Sequence, residues 1–242
     1  MKPDVVLIHG YRGSPAGLAE IGKSLEKSGY RVFIPSIPPF ANSEPLKAYT
    51  KDSYADFIAD FITKKRLEKP VLIGHSMGSL IAAATAEKYP EKLNSKLVFL
   101  APISTKPPRP IAILNPLATA FPRSVVDVTT TAFNMVPNGL ETAKKTMRLT
   151  REASKQFVSK KDVNLAGIFS INHSISSFNF NKNALFLAGA KDHLISRKRT
   201  EALARELGQK TAFIPGTGHL LNYEKPKETA KEIIKFLESD II

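Results

Sequence analysis

The stretch VLIGHSMGSLIAAATA, residues 71–86, decides the fold. The apolar run at 70–76 is typical of a strand buried on both faces, and residues 79–90 have the pattern of a helix that ends at Pro90. Between them Ser76 lies two residues from Gly74 and two from Gly78. This spacing predicts a sharp turn that projects the serine hydroxyl above the sheet. A serine in a turn is usually only a turn residue. Whether Ser76 has a chemical role therefore depends on which residues lie near it in space.

Alternating strand and helix patterns extend in both directions from this stretch. Apolar runs predict six strands, at 4–10, 30–36, 70–76, 96–102, 183–192 and 210–219. Amphipathic or apolar stretches predict helices at 16–29, 53–66, 79–90, 197–208 and 225–239. The runs are continuous, which indicates a mainly parallel sheet of about six strands with helices on both faces. The fold class is therefore α/β.

Residues 103–182 break the alternation, since they contain no convincing buried strand. A segment of this length is too long for a plain loop. We expect a helical cap, or lid, inserted between core segments 1–102 and 183–242. In the helix-like stretch 139–157 the apolar residues include Met147 and Phe157, which we expect to contact substrate. The alternative is a helical pair that covers nothing functional.

Composition narrows the class of protein. The chain has 242 residues, no cysteine and a net charge of +13. It therefore has no disulfide and no thiolate metal site. Without a targeting segment or a long apolar run, the expected location is cytoplasmic. The basic excess lies mostly in residues 101–183, with 11 Lys and Arg against 4 Asp and Glu. No dense basic block with interleaved aromatic residues occurs there, so we expect no nucleic-acid partner. Association with an anionic lipid surface is a weaker alternative.

A serine nucleophile needs a base, and the base needs an acid that orients it. His219 follows the last predicted strand, on the sheet edge where Ser76 lies. Asp192 follows the strand at 183–192, whereas the strand at 96–102 ends without an acid. The predicted triad is Ser76, Asp192 and His219. Asp192 as a helix N-cap is the alternative, and Asp162 is the next candidate acid.

The oxyanion of an acyl-transfer intermediate needs two hydrogen-bond donors. We expect the backbone N–H groups of Met77, at the start of a helix, and of Tyr11, in the loop after the first strand. Gly10 allows that loop to approach the site closely. The alternative is that the glycines only shape a turn and that the loop has no part in an oxyanion hole. No metal and no organic cofactor is implied.

Four segments resemble the α/β-hydrolase fold serine hydrolases: LIHGYRGS, LIGHSMGS, LAGAKDHLIS and GTGHLLNYEKPKE. The resemblance covers residues 1–102 and 183–242 and is closest to small esterases, monoacylglycerol-lipase-like enzymes and carbon–carbon-bond hydrolases. Two features depart from the family: its usual first two strands are absent, and no tryptophan follows the oxyanion loop, since the chain has none.

The predicted function is a serine hydrolase that acts on small-molecule esters. A carboxylesterase for small or medium acyl groups is the first expectation. Monoacylglycerol lipase, thioesterase, aminopeptidase and carbon–carbon-bond hydrolase activities use the same residues and remain open. A receptor or pseudoenzyme on the same fold is the alternative from a different class.

Overall fold

The structure is a computed structural model that describes residues 1–11, 13–103 and 174–239. Most of the predicted cap, including Met147 and Phe157, lies outside the described residues, as do His173 and Asp162. In the described part no helix has both the length and the apolar character needed to cross a membrane.

One sheet of six parallel strands forms the centre of the described structure. The spatial order is β2-β1-β3-β4-β5-β6. The strands are β1 (Val5–Ile8), β2 (Val32–Phe33), β3 (Val71–His75), β4 (Lys96–Leu100), β5 (Asn183–Gly189) and β6 (Lys210–Ile214). The prediction of about six mainly parallel strands is therefore confirmed. Every residue of β1, β3 and β4 is buried, which explains why these strands are mostly apolar in sequence.

The described helices follow the predicted alternation. They are α1 (Ala19–Lys27), α2 (Lys51–Lys64), α3 (Met77–Lys88), α4 (Arg197–Glu206), α5 (Leu221–Glu224) and α6 (Pro226–Glu238). Short 3₁₀ helices occupy Pro15–Leu18, Pro90–Lys92 and Ile175–Ser177. Helix α2 begins two residues before the predicted start, because the Thr50 hydroxyl accepts a hydrogen bond from Ser53 N at 3.1 Å and caps the helix.

Helices cover both faces of the sheet, as the sequence predicts. Helices α1 and α6 pack on one face, and α2, α3 and α4 pack on the other. Helix α3 is buried from Met77 to Ala86, so it shows no polar face in the sequence. Its four alanines let it lie close to the sheet. Each large aliphatic side chain fully buried in these layers stabilises the fold by about 1.5–3 kcal/mol.

The chain leaves the described structure after residue 103 and returns at residue 174 at nearly the same point. Ile175 N donates to Ile103 O at 3.2 Å. Ile175 and Phe178 are buried in the same core cluster as α2 and α3. Nearby, Asn179 N donates to Glu87 Oε1 at 3.0 Å. The described segments that end at residue 103 and resume at residue 174 therefore lie side by side. The division into core and cap stays a prediction.

Candidate active site

Ser76 lies in a strained turn between β3 and α3. Its φ of 52° and ψ of −116° fall in a region that residues with a side chain rarely adopt. Such a conformation costs on the order of 1–3 kcal/mol. Hydrogen bonds hold it, since Ser76 N donates to Leu100 O at 2.8 Å and Ser76 O accepts from Ser79 N at 2.9 Å. The half-buried serine side chain is thereby held at the carboxyl end of β3.

The two glycines around Ser76 have no room for a side chain. A Cβ on Gly74 would overlap the carbonyl oxygen of Gly78, and a Cβ on Gly78 would overlap that of Ile8. Helix α3 therefore starts in direct backbone contact with β1 and β3. Both positions that flank Ser76 in this turn therefore need a residue without a side chain.

The three residues predicted as a triad lie together at this edge of the sheet. His219 Nε2 is 3.0 Å from Ser76 Oγ, and His219 Nδ1 is 3.0 Å from Asp192 Oδ2. An ionised carboxylate only accepts hydrogen bonds, so the Nδ1 proton points to Asp192. In the neutral imidazole Nε2 then has a free lone pair, which can accept the hydroxyl proton of Ser76.

Asp192 is buried but fully hydrogen-bonded. Its Oδ1 accepts from Leu194 N and Ile195 N, each at 2.8 Å. Burial raises the pKa of this carboxyl, but the charge and hydrogen bond of His219 and the two N–H groups outweigh burial and lower the pKa. Asp192 therefore stays ionised at neutral pH. Leu194 N and Ile195 N also fix which carboxylate oxygen faces His219. These two hydrogen bonds were not predicted from the sequence.

The segment 215–220, called here the His219 loop, is held against β5 and α5. A Cβ on Gly189 of β5 would overlap the carbonyl oxygen of Gly218. Lys191 N donates to Thr217 O at 2.8 Å, and Gly218 N donates to Glu224 Oε1 at 3.0 Å. These contacts place His219 beside the turn that follows β5, where Asp192 lies.

The two predicted oxyanion donors flank Ser76. Met77 is the first residue of α3, so its N–H lacks an acceptor within the helix. Tyr11 follows Gly10, where an added Cβ would lie 3.0 Å from His75 O and 3.1 Å from Ser76 Cβ. The loop after β1 therefore lies directly against the Ser76 turn. The Tyr11 ring packs edge-on against Phe40, with centroids 5.3 Å apart. The oxyanion role of both N–H groups stays a prediction.

Two other histidines are buried beside the site. His9 Nε2 accepts from Ile37 N at 2.9 Å, and its Nδ1 donates to Gly10 O at 3.0 Å. His75 Nε2 lies 3.0 Å from His219 O, a contact that sequence reasoning missed. Burial lowers the pKa of His9 to about 4. Burial, and next the neighbouring His219, lower the pKa of His75 to about 3. Both rings are therefore neutral at neutral pH.

These two histidines predict a steep loss of stability in mild acid. In the unfolded chain a histidine binds a proton below about pH 6.5, whereas both folded rings stay neutral until about pH 4 or lower. Unfolding therefore takes up two protons, and the free energy of unfolding should fall by about 2–3 kcal/mol per pH unit between roughly pH 6 and pH 4.5. Urea unfolding followed by circular dichroism at several pH values measures this slope.

The matched variants compare a buried and an exposed histidine. His9→Gln should reduce the slope by about half, because one of the two titrating rings is gone. His193→Gln should leave the slope unchanged, since His193 is exposed. A stability that does not change between pH 6 and pH 4.5 would contradict the assignment of two neutral buried rings.

Comparison with known proteins agrees with the fold. The model of the alpha/beta hydrolase fold family matches residues 3–125, about half of the chain. The chain therefore belongs to the α/β hydrolase fold family. The described residues contain no group of three or more His, Cys, Asp or Glu side chains that could hold a metal ion.

Several proteins that match part of the chain carry esterase or lipase names. The chain is 30% identical over 105 residues to a Mycoplasma pneumoniae protein provisionally named an esterase/lipase, covering 43% of this chain and 39% of that protein. It is 35% identical over 94 residues to Lipase 3 of Moraxella sp., covering 38% and 29%. The matches thus span less than half of either relative.

A solved structure extends the likeness of fold to nearly the whole chain. Naproxen esterase from Bacillus subtilis superposes with a TM-score of 0.80 at 18% identity, covering 98% of this chain and 84% of that structure. At this identity the likeness concerns the fold alone.

Proposed function

We propose that the protein is a serine hydrolase that cleaves carboxylic esters through a covalent acyl-enzyme. The observation that carries the proposal is the chain of two 3.0 Å hydrogen bonds from Ser76 through His219 to Asp192. A serine hydroxyl is a weak nucleophile on its own, and a neutral imidazole in this orientation is the base that activates it. Asp192 holds the required tautomer and stabilises the imidazolium that forms.

The first half-reaction acylates the serine. Ser76 Oγ attacks the ester carbonyl carbon while His219 Nε2 takes the hydroxyl proton. The tetrahedral intermediate places its negative oxygen toward the N–H groups of Tyr11 and Met77. When the bond to the leaving alcohol breaks, His219 returns the proton to the alcohol oxygen. The acyl group is then esterified to Ser76.

The second half-reaction releases the acid. A water molecule takes the place of the alcohol, and His219 Nε2 accepts one of its protons as it attacks the acyl carbon. Collapse of the second tetrahedral intermediate breaks the bond to Ser76 Oγ, which recovers its proton from His219. The products are a carboxylic acid and an alcohol, and the protein is regenerated without any cofactor.

We further propose that the substrate is a small-molecule ester with a small or medium acyl group and that the protein acts in the cytoplasm. The esterase and lipase names of the relatives support ester chemistry over amide or carbon–carbon-bond cleavage. Monoacylglycerol lipase and thioesterase activities use the same atoms and are the nearest alternatives.

A panel of p-nitrophenyl esters from acetate to decanoate tests the activity and the acyl preference together. Steady-state turnover above the buffer rate, greatest for acetate to hexanoate, is the expected result. A protein that binds these esters without turnover would instead be a receptor or pseudoenzyme. In the predicted cap, Met147→Ala should shift the preferred acyl length, because Met147 is expected to contact substrate and a smaller side chain would enlarge the pocket.

The matched control for the cap is the double variant with Lys144→Gln and Lys145→Gln. These lysines are expected to face water, so kcat/KM for neutral esters should stay within about threefold, under ~1 kcal/mol. A large fall in kcat/KM in the lysine variant, together with an unchanged acyl-length preference in Met147→Ala, would contradict the predicted orientation of the helix expected at 139–157.

A further inference from the structure

His75 connects the Ser76 turn to the His219 loop. It is the last residue of β3, directly before Ser76, and its ring is buried with 6% exposed. His75 Nε2 lies 3.0 Å from the backbone oxygen of His219. A carbonyl oxygen only accepts hydrogen bonds, so Nε2 carries the proton and donates. The two imidazole rings are 5.4 Å apart.

The other side of the His75 ring faces the loop after β1. A Cβ on Gly10 would lie 3.3 Å from His75 Nδ1, so the ring fits closely against that backbone. The ring therefore lies between the segment that leads to Tyr11 and the segment that carries His219.

Other contacts hold the His219 loop to different parts of the molecule. Asp192 holds the ring of His219, and Glu224 holds Gly218 N. Both belong to the β5 and α5 side of the site. Among the described residues, the hydrogen bond from His75 is the one that joins the backbone of the His219 loop to β3, the strand that leads to Ser76.

We infer that His75 is a positioning residue for His219, on the basis of the proposed serine hydrolase function. By fixing the carbonyl of His219 to the residue before Ser76, it sets the separation between Ser76 Oγ and His219 Nε2. A misplacement of about 1 Å between reacting groups costs on the order of 10²-fold in rate. The expected contribution of His75 is therefore to the chemical step and not to substrate binding.

The neutral state of His75 suits this role. Burial, and then the proximity of His219, keep the pKa of His75 at about 3, so the ring stays neutral when His219 takes up a proton. A charged His75 would repel the imidazolium 5.4 Å away and oppose the reaction. The neutral ring donates to the carbonyl in either state of His219.

The test compares an apolar replacement with a replacement that keeps a donor. His75→Leu fills much of the space without donating, and it should lower kcat for p-nitrophenyl butyrate by about 10–100-fold with KM within about threefold. His75→Gln places an amide N–H near the position of Nε2, so it should recover kcat to within about fivefold of the wild type. Thr85→Val, a buried hydroxyl deletion away from the site, is the matched control and should keep kcat.

The outcomes separate positioning from packing. A wild-type kcat in His75→Leu overturns the inference, and so does an equal loss in His75→Leu and His75→Gln accompanied by equal falls in melting temperature. If His75→Leu does not fold, His75→Asn replaces it, because its shorter amide cannot reach the carbonyl of His219. A kcat for His75→Asn equal to that of His75→Gln then overturns the inference.

Failure of the inference and failure of the proposed function look different. If His75→Leu is unaffected while Ser76→Ala is inactive, only the positioning role is wrong. If Ser76→Ala keeps wild-type turnover, the proposed serine mechanism is wrong and the inference fails with it.

Discussion

Ser76→Ala is expected to lower kcat for p-nitrophenyl butyrate by about 10⁶-fold, the order of loss when a triad nucleophile is removed. The free energy of unfolding should change by less than ~1 kcal/mol, because alanine keeps the Cβ and the strained backbone that Leu100 O and Ser79 N hold in place. Steady-state kinetics and urea unfolding on the same preparation measure both quantities.

The control for this variant is Ser24→Ala. Ser24 lies on α1, where its hydroxyl bonds to Glu20 O within the helix and not to the site. It should keep full turnover. If Ser76→Ala loses no more activity than Ser24→Ala, another group must be the nucleophile.

His219→Ala and Asp192→Asn should produce the next largest losses. Removing the imidazole deprives Ser76 of its base, and the fall in kcat should approach that of Ser76→Ala, since triad members act as a unit. Asp192→Asn should cost about 10⁴-fold, the loss associated with the wrong imidazole tautomer.

The structure gives a physical reason for the Asp192→Asn effect. Leu194 N and Ile195 N require an acceptor at Oδ1, so the asparagine oxygen stays with them. The NH₂ group then faces His219 Nδ1 and donates to it, which forces the imidazole proton onto Nε2. A protonated Nε2 cannot accept the Ser76 proton. Wild-type kinetics in Asp192→Asn would show that the orienting acid is elsewhere, and Asp162 would be tested next.

Much of the site was predictable because parallel strands end at one edge of a sheet. Ser76 follows β3, Asp192 follows β5 and His219 follows β6, so the strand order alone predicts that the three side chains converge. The glycines at 74 and 78 were informative for a similar reason, since a strand-to-helix turn of this kind has no room for Cβ atoms.

The contacts of His75 were not predictable from the sequence. Neighbours on an extended strand face opposite ways, so the sequence alone predicts that the His75 ring lies away from the Ser76 side chain. The ring nevertheless lies within hydrogen-bonding distance of His219 O. His219 is 144 residues further along the chain, and the His219 loop brings it back to the end of β3. That path depends on the length and turns of the loop, which composition and periodicity do not encode.

Element boundaries were also set by local contacts that a periodic pattern does not show. Strand β2 has two residues where the pattern predicts seven, and the short helix α5 was not predicted at all. Helix α5 is nevertheless important for the site, since Glu224 lies at its end and accepts from Gly218 N. A four-residue helix is too short to produce a detectable hydrophobic period.

The most direct test of the central claim is labelling with a fluorophosphonate followed by peptide mass spectrometry. The phosphonate reacts with a serine that a neighbouring base activates. The account predicts one adduct, on Ser76, with labelling absent in Ser76→Ala and greatly slowed in His219→Ala. An adduct on another serine, or ester turnover in a protein that remains unlabelled, would contradict it.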